Sequence, residues 1–377
     1  MLLSTSPVEP RAPRILFVPV SGPGGSGELM RCLIVARELR RACPDADVHF
    51  LVARNAVFRE TVDFPIHDCD DSPTRSTPQV LATLRALAPD VVVFDNAGRT
   101  AQLRAAKALG ARLVFTSRSP RLRWKAFRLS WLRLLDEHWI VFPQFVTGGL
   151  SPLERLKLHL SPNYVVRHLD TLFTPSSPDE RQRFLAAHGL RAGGYTAFVP
   201  GGRGEGRTAT RVEPADLFIE AAAQFTRDTG QTSVVLTGRD RPTRPADASE
   251  RLVLLPRLRP EDVQHLLAGA ARVVSNGGTT LVHALAYGQE IVCAPLAADQ
   301  ARRIRRAARL GVVVPVAPVA GPIARATAEL AADRARGEML RRRVVELGLV
   351  NGVNEAVAAL QRLARPASST RLSLQEA

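Results

Sequence analysis

The sequence is poor in cysteine and lacks long apolar runs, and each scarcity excludes a class of protein. Its four cysteines among 377 residues form neither CxxC pairs nor a Cys/His cluster, which gives little support to a zinc site or a disulfide framework. No run approaches the roughly 18 apolar residues of a membrane-spanning helix. The first residues also lack the charged and apolar regions of a signal peptide. We therefore expect a cytoplasmic protein, at most peripheral on the inner face of a membrane.

Positive charge is abundant and comes almost entirely from arginine. Lysine and arginine number 51 against 36 acidic residues, a net charge of +15, yet lysine occurs only at positions 107, 125 and 157. A net positive charge of this size can attract nucleic acid, anionic lipid or phosphorylated substrates, and it carries no information about the fold. Because the sequence contains no recognised nucleic-acid-binding module, we expect no nucleic-acid partner.

Length and hydrophobic patterning predict two α/β domains. The chain has 45% hydrophobic residues over 377 positions, enough for two cores. Short apolar segments such as RILFVPV, VVVF and RVVS alternate with helical patterns, which is typical of parallel strands joined by crossover helices. The predicted fold class is α/β, with two Rossmann-like doubly wound domains facing across a cleft. Open sheets of this kind bind ligands at the carboxyl ends of their strands, so we look for function in the strand-to-helix loops.

Breaks in the periodicity set the predicted domain boundaries. Between about residues 147 and 178, several prolines interrupt both helical and strand periods. We predict an N-terminal Rossmann-like domain over 1–160 and a linker over 161–190. A C-terminal Rossmann-like domain over 191–350 follows, and a helix with a disordered tail over 351–377 ends the chain.

The first glycine-rich loop, SGPGGSGE at residues 21–28, follows the first predicted strand and opens a helix. Its glycines let the backbone approach a ligand and leave amides free at the helix start. Glu28 could act there as a general base, or could only stabilise the helix dipole. Asp95, at the end of the strand DVVVFD, could assist Glu28 or cap the following loop. These two carboxylates are the predicted catalytic residues.

Loops of the second half carry a predicted anion site. In PGGRGEGR, at 200–207, backbone amides and guanidinium groups can both donate to an anion, although a mobile surface loop is the alternative. In the segment 272–311 a strand ends at Ser275, a glycine pair follows and threonines open a helix, which builds a phosphate site without lysine or metal. Asp299 and Gln300, at a later loop-to-helix junction, offer acceptors and a donor to sugar hydroxyls.

The segment 272–311 resembles the donor-binding region of GT-B glycosyltransferases, with its order of Ser, Gly-Gly, Thr, Ala-Leu, Gly, Pro and Asp-Gln. The loop PGGRGEGR is similar to the glycine-rich donor loop of the peptidoglycan N-acetylglucosaminyltransferase. In the first domain, GGSGELMRCLIVA looks like that family's first loop, and its LMRCLIVA portion is closer to the nucleotide-sugar hydrolase of pseudaminic acid synthesis. The resemblance covers most of residues 14–350.

The resemblance implies a metal-independent, inverting glycosyltransferase, in which the N-terminal domain over 1–160 binds the acceptor and the C-terminal domain over 191–350 binds the donor. It would move a sugar from a nucleotide-sugar, by default a UDP-sugar, to a hydroxyl of a lipid-linked or small-molecule acceptor. No cofactor beyond the donor is expected, and no metal ligand is assigned, because the DAD and DCD sequences lie at other loops. A nucleotide-sugar hydrolase and a non-catalytic nucleotide-sugar-binding protein are the alternatives.

Two positions depart from the pattern of these relatives. Glu28 stands where both have a loop histidine, and His283 stands where they have a glutamate that binds the donor ribose. A neutral histidine offers one donor and one acceptor to a ribose, although an exposed helix residue is the plainer interpretation. The predicted donor-binding residues are Gly201, Gly202, Arg203, Gly204, Ser275, Asn276, Gly277, Gly278, Thr279, Thr280, His283, Asp299 and Gln300.

The segment 118–133, RSPRLRWKAFRLSWLR, combines basic and aromatic residues and contains no acid. It predicts a helix from about Trp124 to Leu135, with a basic amphipathic face that touches anionic lipid. The alternative is that its tryptophans and leucines pack in the core while its arginines are solvated. A second arginine cluster, at 302–309, is expected to be a solvated helix face.

Overall fold

The computed structural model describes residues 12–22, 27–201, 213–240, 242–245 and 248–365. Two compact units divide the chain. The first comprises Met1–Val141, Leu150–Leu169 and Gly352–Ala377, and the second comprises Phe142–Gly149 and Asp170–Asn351. Gly202, Arg203 and Gly204 lie outside the described residues, as do residues 23–26 of the first glycine-rich loop and the predicted tail over 366–377.

The strands of the described residues are short and largely buried. They are β1 (Arg14–Pro19), β2 (Asp47–Ala53), β3 (Ile66–Cys69), β4 (Val91–Asp95), β5 (Arg112–Ser117), β6 (Glu137–Ile140), β7 (Val165–His168), β8 (Tyr195–Val199), β9 (Thr232–Leu236), β10 (Leu252–Leu255), β11 (Arg272–Ser275), β12 (Glu290–Cys293) and β13 (Val314–Pro315).

Helices connect these strands. They are α1 (Gly27–Ala42), α2 (Thr77–Leu87), α3 (Thr100–Ala108), α4 (Pro120–Ala126), α5 (Leu129–Leu132), α6 (Gln144–Thr147), α7 (Pro152–His159), α8 (Pro178–Ala187), α9 (Pro214–Thr229), α10 (Pro260–Gly269), α11 (Thr279–Ala286), α12 (Ala298–Arg309), α13 (Ala320–Ala332), α14 (Arg334–Leu347) and α15 (Val353–Ala364), and Arg59–Thr61 forms a 3-10 turn. Among the residues described, no helix is long and apolar enough to cross a bilayer.

The first unit is a doubly wound sheet of seven parallel strands in the order β3-β2-β1-β4-β5-β6-β7. All five residues of β4 are buried, as expected for a strand with helices on both faces of its sheet. The strand order reverses between β1 and β4. Connections leave in opposite directions at that point, which opens a crevice at the carboxyl ends of the two strands.

The second unit repeats this plan with six parallel strands in the order β10-β9-β8-β11-β12-β13. Successive residues of β11 serve opposite faces, since Val273 belongs to one buried core cluster and Val274 to the other. The order reverses between β8 and β11. The predicted fold class of two doubly wound α/β domains is therefore confirmed.

Several predicted boundaries need correction. The predicted linker 161–190 contains β7, which joins the sheet of the first unit, and α8, which belongs to the second. The C-terminal helix, predicted to stand apart over 351–377, is α15 of the first unit, where it packs against α1. Short strands and proline-led helices such as α8, which starts at Pro178 and is capped by Ser177, are too brief to show a clear period.

The prediction of a single helix from about Trp124 to Leu135 is wrong. The segment forms α4 and α5, separated by an extended residue at Arg128. Phe127 and Trp131 are buried at 1% exposure each, and the Trp131 indole donates to Thr100 Oγ1 at 3.0 Å. Arg123 is also buried. Only part of this segment is therefore available to a membrane.

Candidate functional site

In the first unit, Glu28 and Asp95 lie at the strand reversal. Asp95 ends β4, and Glu28 is the second residue of α1, which follows β1 after the loop containing residues 23–26. Asn96, directly after Asp95, takes a left-handed conformation with φ of 54° and donates from Nδ2 to Glu28 Oε1 at 2.6 Å. The topology thus brings together the two carboxylates that the sequence predicts.

Glu28 accepts a hydrogen bond from Asn96 and forms ion pairs with two arginines. Besides Asn96, Arg118 Nε lies 3.1 Å from its Oε1, and Arg31, one turn along α1, lies 4.0 Å away. Burial alone would raise the pKa of Glu28, but Arg31, Arg118 and the Asn96 hydrogen bond together lower it below the ordinary value. The carboxylate is therefore ionised, and its side chain is 14% exposed.

Asp95 neither caps a loop nor presents a free carboxylate. Its two oxygens accept a fork of hydrogen bonds from Arg31 at 2.9 and 2.8 Å, and the Cys32 thiol lies 3.7 Å away. Burial raises the pKa of Asp95 to about 6, against the opposing influence of Arg31. Because the Arg31 guanidinium fills its hydrogen-bonding edge, Asp95 orients Arg31 toward Glu28.

In the second unit, the turn after β11 is a compact backbone loop. Ser275 Oγ accepts from the Gly277 amide at 3.2 Å, and Asn276 Oδ1 accepts from the Gly278 amide at 2.9 Å. Gly277 has a φ of +80°, and a Cβ there would lie 2.6 Å from Ile304 Cγ1. Only glycine fits this position without displacing its neighbours.

This turn leaves the start of α11 open. Gly278 is the N-cap residue, and within the described chain no side chain caps the helix there. Thr279 is exposed and Thr280 is half-buried, so both are close to solvent. An uncapped helix start presents unpaired amides and the positive end of the helix dipole to an anion.

The loop after β8 reaches the same edge. Gly201 has a φ of +61°, and a Cβ there would lie 3.1 Å from Asn276 Nδ2. The two glycine-containing loops that the sequence assigns to donor binding therefore touch at the strand reversal between β8 and β11.

Arg303 connects the Asp299–Gln300 junction to the turn after β11, although the sequence analysis placed it on a solvated helix face. Arg303 donates to the Gly277 carbonyl oxygen, lies 3.5 Å from Asp299 Oδ2, and stacks 5.2 Å from the Phe142 ring centroid. Its side chain is only 11% exposed. Gln300 is buried and accepts from the Leu296 amide at 2.8 Å, so its oxygen holds its own loop in shape.

His283 is half-buried and does not resemble an exposed helix residue. Its Nδ1 lies 3.1 Å from Gln264 Nε2, and its ring centroid lies 4.8 Å from that of Phe173. Its Nε2 and the Gln264 Oε1 are buried without a hydrogen-bond partner among the described residues. Burial lowers the pKa of His283 to about 4, so the imidazole is neutral near pH 7.

A pH-dependent stability follows from this burial. Below about pH 6.5 the unfolded state binds a proton at His283, whereas the folded state binds it only near pH 4. The unfolding free energy therefore does not depend on His283 above about pH 6.5, and it decreases as the pH falls from there toward 4. Between pH 7 and 5, wild type should lose about 2 kcal/mol more unfolding free energy than His283→Gln. Urea unfolding at both pH values measures this, with the exposed His159→Gln as control. An equal loss in wild type and His283→Gln would contradict the burial of this ring.

No family model and no curated protein sequence matches the chain. Solved structures do. UGT2 of Phytolacca americana, in complex with UDP-2-fluoro-glucose and pterostilbene, has a TM-score of 0.63 at 16% identity, covering 94% of this chain and 99% of that one. The spinosyn forosaminyltransferase SpnP gives 0.62 at 15% identity, covering 94% and 99%. The calicheamicin glycosyltransferase CalG4 gives 0.61 at 17%, covering 94% and 98%.

The chain has the GT-B fold. The match extends over 94% of the chain, so it includes both sheets. This confirms the GT-B resemblance that the motif in 272–311 suggested. The more specific likeness to the peptidoglycan transferase and the pseudaminic acid hydrolase stays a prediction.

Three residues of this GT-B chain were missed as site residues. Arg31 lies one turn after Glu28 on α1, a spacing that places both on one helix face and could have been recognised. Arg118 and Arg303 approach Glu28 and Gly277 from elements distant in sequence. No local sequence pattern predicts such contacts, because they depend on the order of the strands in the sheet.

Proposed function

We propose that the chain transfers a sugar from a nucleotide-sugar to an acceptor hydroxyl. The observation that carries the proposal is the uncapped start of α11 beside Gly201, at the strand reversal of a GT-B second unit. It offers converging amides for a diphosphate where an open α/β sheet binds its ligand. The UDP-2-fluoro-glucose named for the Phytolacca structure supports UDP as the nucleotide.

In this proposal the donor diphosphate lies against the amides of Gly278, Thr279 and Thr280. The Thr280 hydroxyl adds a donor, and the helix dipole stabilises the negative charge that grows on the leaving diphosphate. No metal takes part in the proposed step. Arg203, outside the described residues, is proposed to donate to the same phosphates.

Glu28 is the proposed base for the acceptor. As the acceptor oxygen attacks the anomeric carbon with inversion, the carboxylate would take its proton. Arg31 and Arg118 keep Glu28 ionised and position it, while Asp95 positions Arg31. The pterostilbene named for the Phytolacca structure supports a small-molecule acceptor, and a lipid-linked acceptor is the other class that this proposal admits.

A non-catalytic nucleotide-sugar-binding protein is the second candidate, and the setting of Glu28 favours it. Arg31, Arg118 and Asn96 lower the pKa of this carboxyl group. A carboxylate that is stabilised in this way is a weaker proton acceptor. Donor binding without turnover would be the signature of this candidate.

The proposal is tested by Thr280→Val, which removes a hydroxyl at nearly constant volume. Loss of a hydrogen bond to a charged phosphate should weaken UDP binding by about 1.5–3 kcal/mol. Titration calorimetry measures the dissociation constant, and Thr279→Val at the more exposed neighbouring position shows whether one hydroxyl dominates. Unchanged UDP affinity in both folded variants would place the diphosphate elsewhere. Acceptor-dependent release of UDP from UDP-sugars then separates transferase from binding protein.

A further inference from the structure

Helix α7 has its apolar residues facing solvent. Leu153, Leu156 and Leu160, at and just beyond the helix, are exposed at 59%, 55% and 71%. Their spacing of three and four residues places them on one side of the helix. The residue buried on α7 is instead the charged Glu154. An amphipathic helix of a globular protein normally has the reverse arrangement.

Polar contacts hold α7 in this orientation. Glu154 pairs with Arg123 of α4 at 3.1 Å, and both side chains are about nine-tenths buried. Glu154 also completes a capping box with Ser151. Lys157 Nζ donates to the Phe127 carbonyl oxygen at 3.0 Å. Because a buried pair of charges is costly to separate, α7 cannot simply roll its leucines inward.

Two more large apolar side chains are exposed on the helices that adjoin α7. Trp124 and Leu129 are exposed at 59% and 66%, and α7 is joined to this part of the chain by the Arg123–Glu154 pair and the Lys157–Phe127 hydrogen bond. We call the set formed by Trp124, Leu129, Leu153, Leu156 and Leu160 the apolar face. Large apolar side chains exposed in this number on adjoining helices mark a contact with a partner or a membrane.

Positive charge surrounds the apolar face. Arg121, Arg128 and Arg155 are exposed, and the Arg128 guanidinium lies 4.7 Å from the Trp124 ring centroid. The segments 118–135 and 150–163 contain one acidic residue, Glu154, which is buried and paired. The charged side chains that these two segments expose beside the apolar face are therefore basic.

We propose that the apolar face docks on an anionic lipid bilayer. Leucine and tryptophan side chains would enter the boundary between headgroups and acyl chains, while the arginines contact the phosphates. A second copy of the chain is disfavoured as the occupant, because pairing two such faces would bring their arginines together. The surface differs from that predicted by the sequence, since α7 is added and Arg123 and Trp131 are withdrawn. The inference holds whether or not the chain transfers sugar.

Tryptophan fluorescence tests the docking on the wild-type protein. Of the three tryptophans, Trp131 and Trp139 are buried, so Trp124 reports contact with lipid. Vesicles of phosphatidylcholine with phosphatidylglycerol should shift the emission to the blue, and added salt should reduce the shift. Trp124→Phe should abolish it. No shift in wild type, or an equal shift with phosphatidylcholine alone, would overturn the proposal.

Vesicle flotation with matched variants identifies the surface. The combined variant Leu153→Gln, Leu156→Gln and Leu160→Gln keeps the charge and should lower the partition coefficient by at least about 10-fold, which is the factor expected from burial of a single leucine. Replacing Arg121, Arg128 and Arg155 by glutamine should also lower it. Replacing Arg302, Arg305 and Arg309 of α12 removes the same charge elsewhere and should have little effect.

Three results would overturn the inference. The leucine variant could float as well as wild type, or the α12 variant could lose as much binding as the variant at Arg121, Arg128 and Arg155. Alternatively, light scattering could show a dimer that the leucine variant abolishes, with no vesicle binding by wild type, which would assign the apolar face to a second copy. Since all the substituted residues are exposed, thermal unfolding should show that each variant retains its fold.

Discussion

Glu28→Gln is expected to lower sugar transfer about 10²–10⁴-fold while the dissociation constant of the nucleotide-sugar stays nearly constant. Glutamine keeps the shape of the side chain, and its carbonyl oxygen can still accept the Asn96 hydrogen bond of 2.6 Å. It cannot take the acceptor proton. Steady-state rates with saturating donor and varied acceptor measure the change, and calorimetry measures donor affinity.

Glu38→Gln is the matched control, because Glu38 lies on the same helix α1 and pairs with Arg41 by an i,i+3 contact. It should leave turnover within about twofold, because Glu38 lies ten residues further along α1 and pairs with Arg41 in the last turn of the helix. Near-normal turnover by Glu28→Gln would remove Glu28 from the chemistry. The Arg31 pair blocks Asp95 from replacing it directly, so the base would then have to be another residue.

Gly277→Ala should destabilise the second unit and abolish most donor binding. At a φ of +80° an alanine is strained by about 1–2 kcal/mol. Its Cβ would also lie 2.6 Å from Cγ1 of Ile304, which belongs to the hydrophobic core. Such overpacking lowers the free energy of unfolding by about 1–3 kcal/mol more. Ile304 lies on α12, so relief of this clash would shift that helix. The shift would displace Arg303 from the Gly277 carbonyl oxygen and disturb the turn that presents the α11 amides.

Gly288→Ala is a control that separates the backbone strain of a positive φ from the steric clash of the added Cβ. Gly288 follows α11 with a φ of +73°, and a Cβ there meets nothing within 4 Å. It should cost about 1–2 kcal/mol of stability, the left-handed strain alone, and leave UDP affinity unchanged. Urea unfolding and calorimetry of both variants compare the two effects. Equal losses of stability in the two, or intact UDP binding by Gly277→Ala, would contradict the assigned role of the turn.

Much of the fold could be predicted from sequence because parallel strands buried on both faces leave strong apolar runs. The segments VVVF and RVVS form strands β4 and β11 as expected. Elements lacking such a run were missed. Strand β7, VVRH, is not fully buried, and β3, IHDC, lies at a sheet edge with polar residues.

The candidate site was predictable only where one local pattern supplies it. The glycine turn and the threonines after β11 are consecutive in sequence and fold as a unit. Partners from other elements, such as Arg118 beside Glu28, are set by strand order. The orientation of α7 was equally hidden, because its charge pattern alone does not reveal that Glu154 meets Arg123 in the interior.

A crystal structure of the chain with bound UDP tests the central claim most directly. The account predicts that the β-phosphate lies within hydrogen-bond distance of the amides of Thr279 and Thr280, at the start of α11 and beside Gly201. Phosphates bound at any other edge of the second unit, with the α11 amides left to solvent, would contradict it.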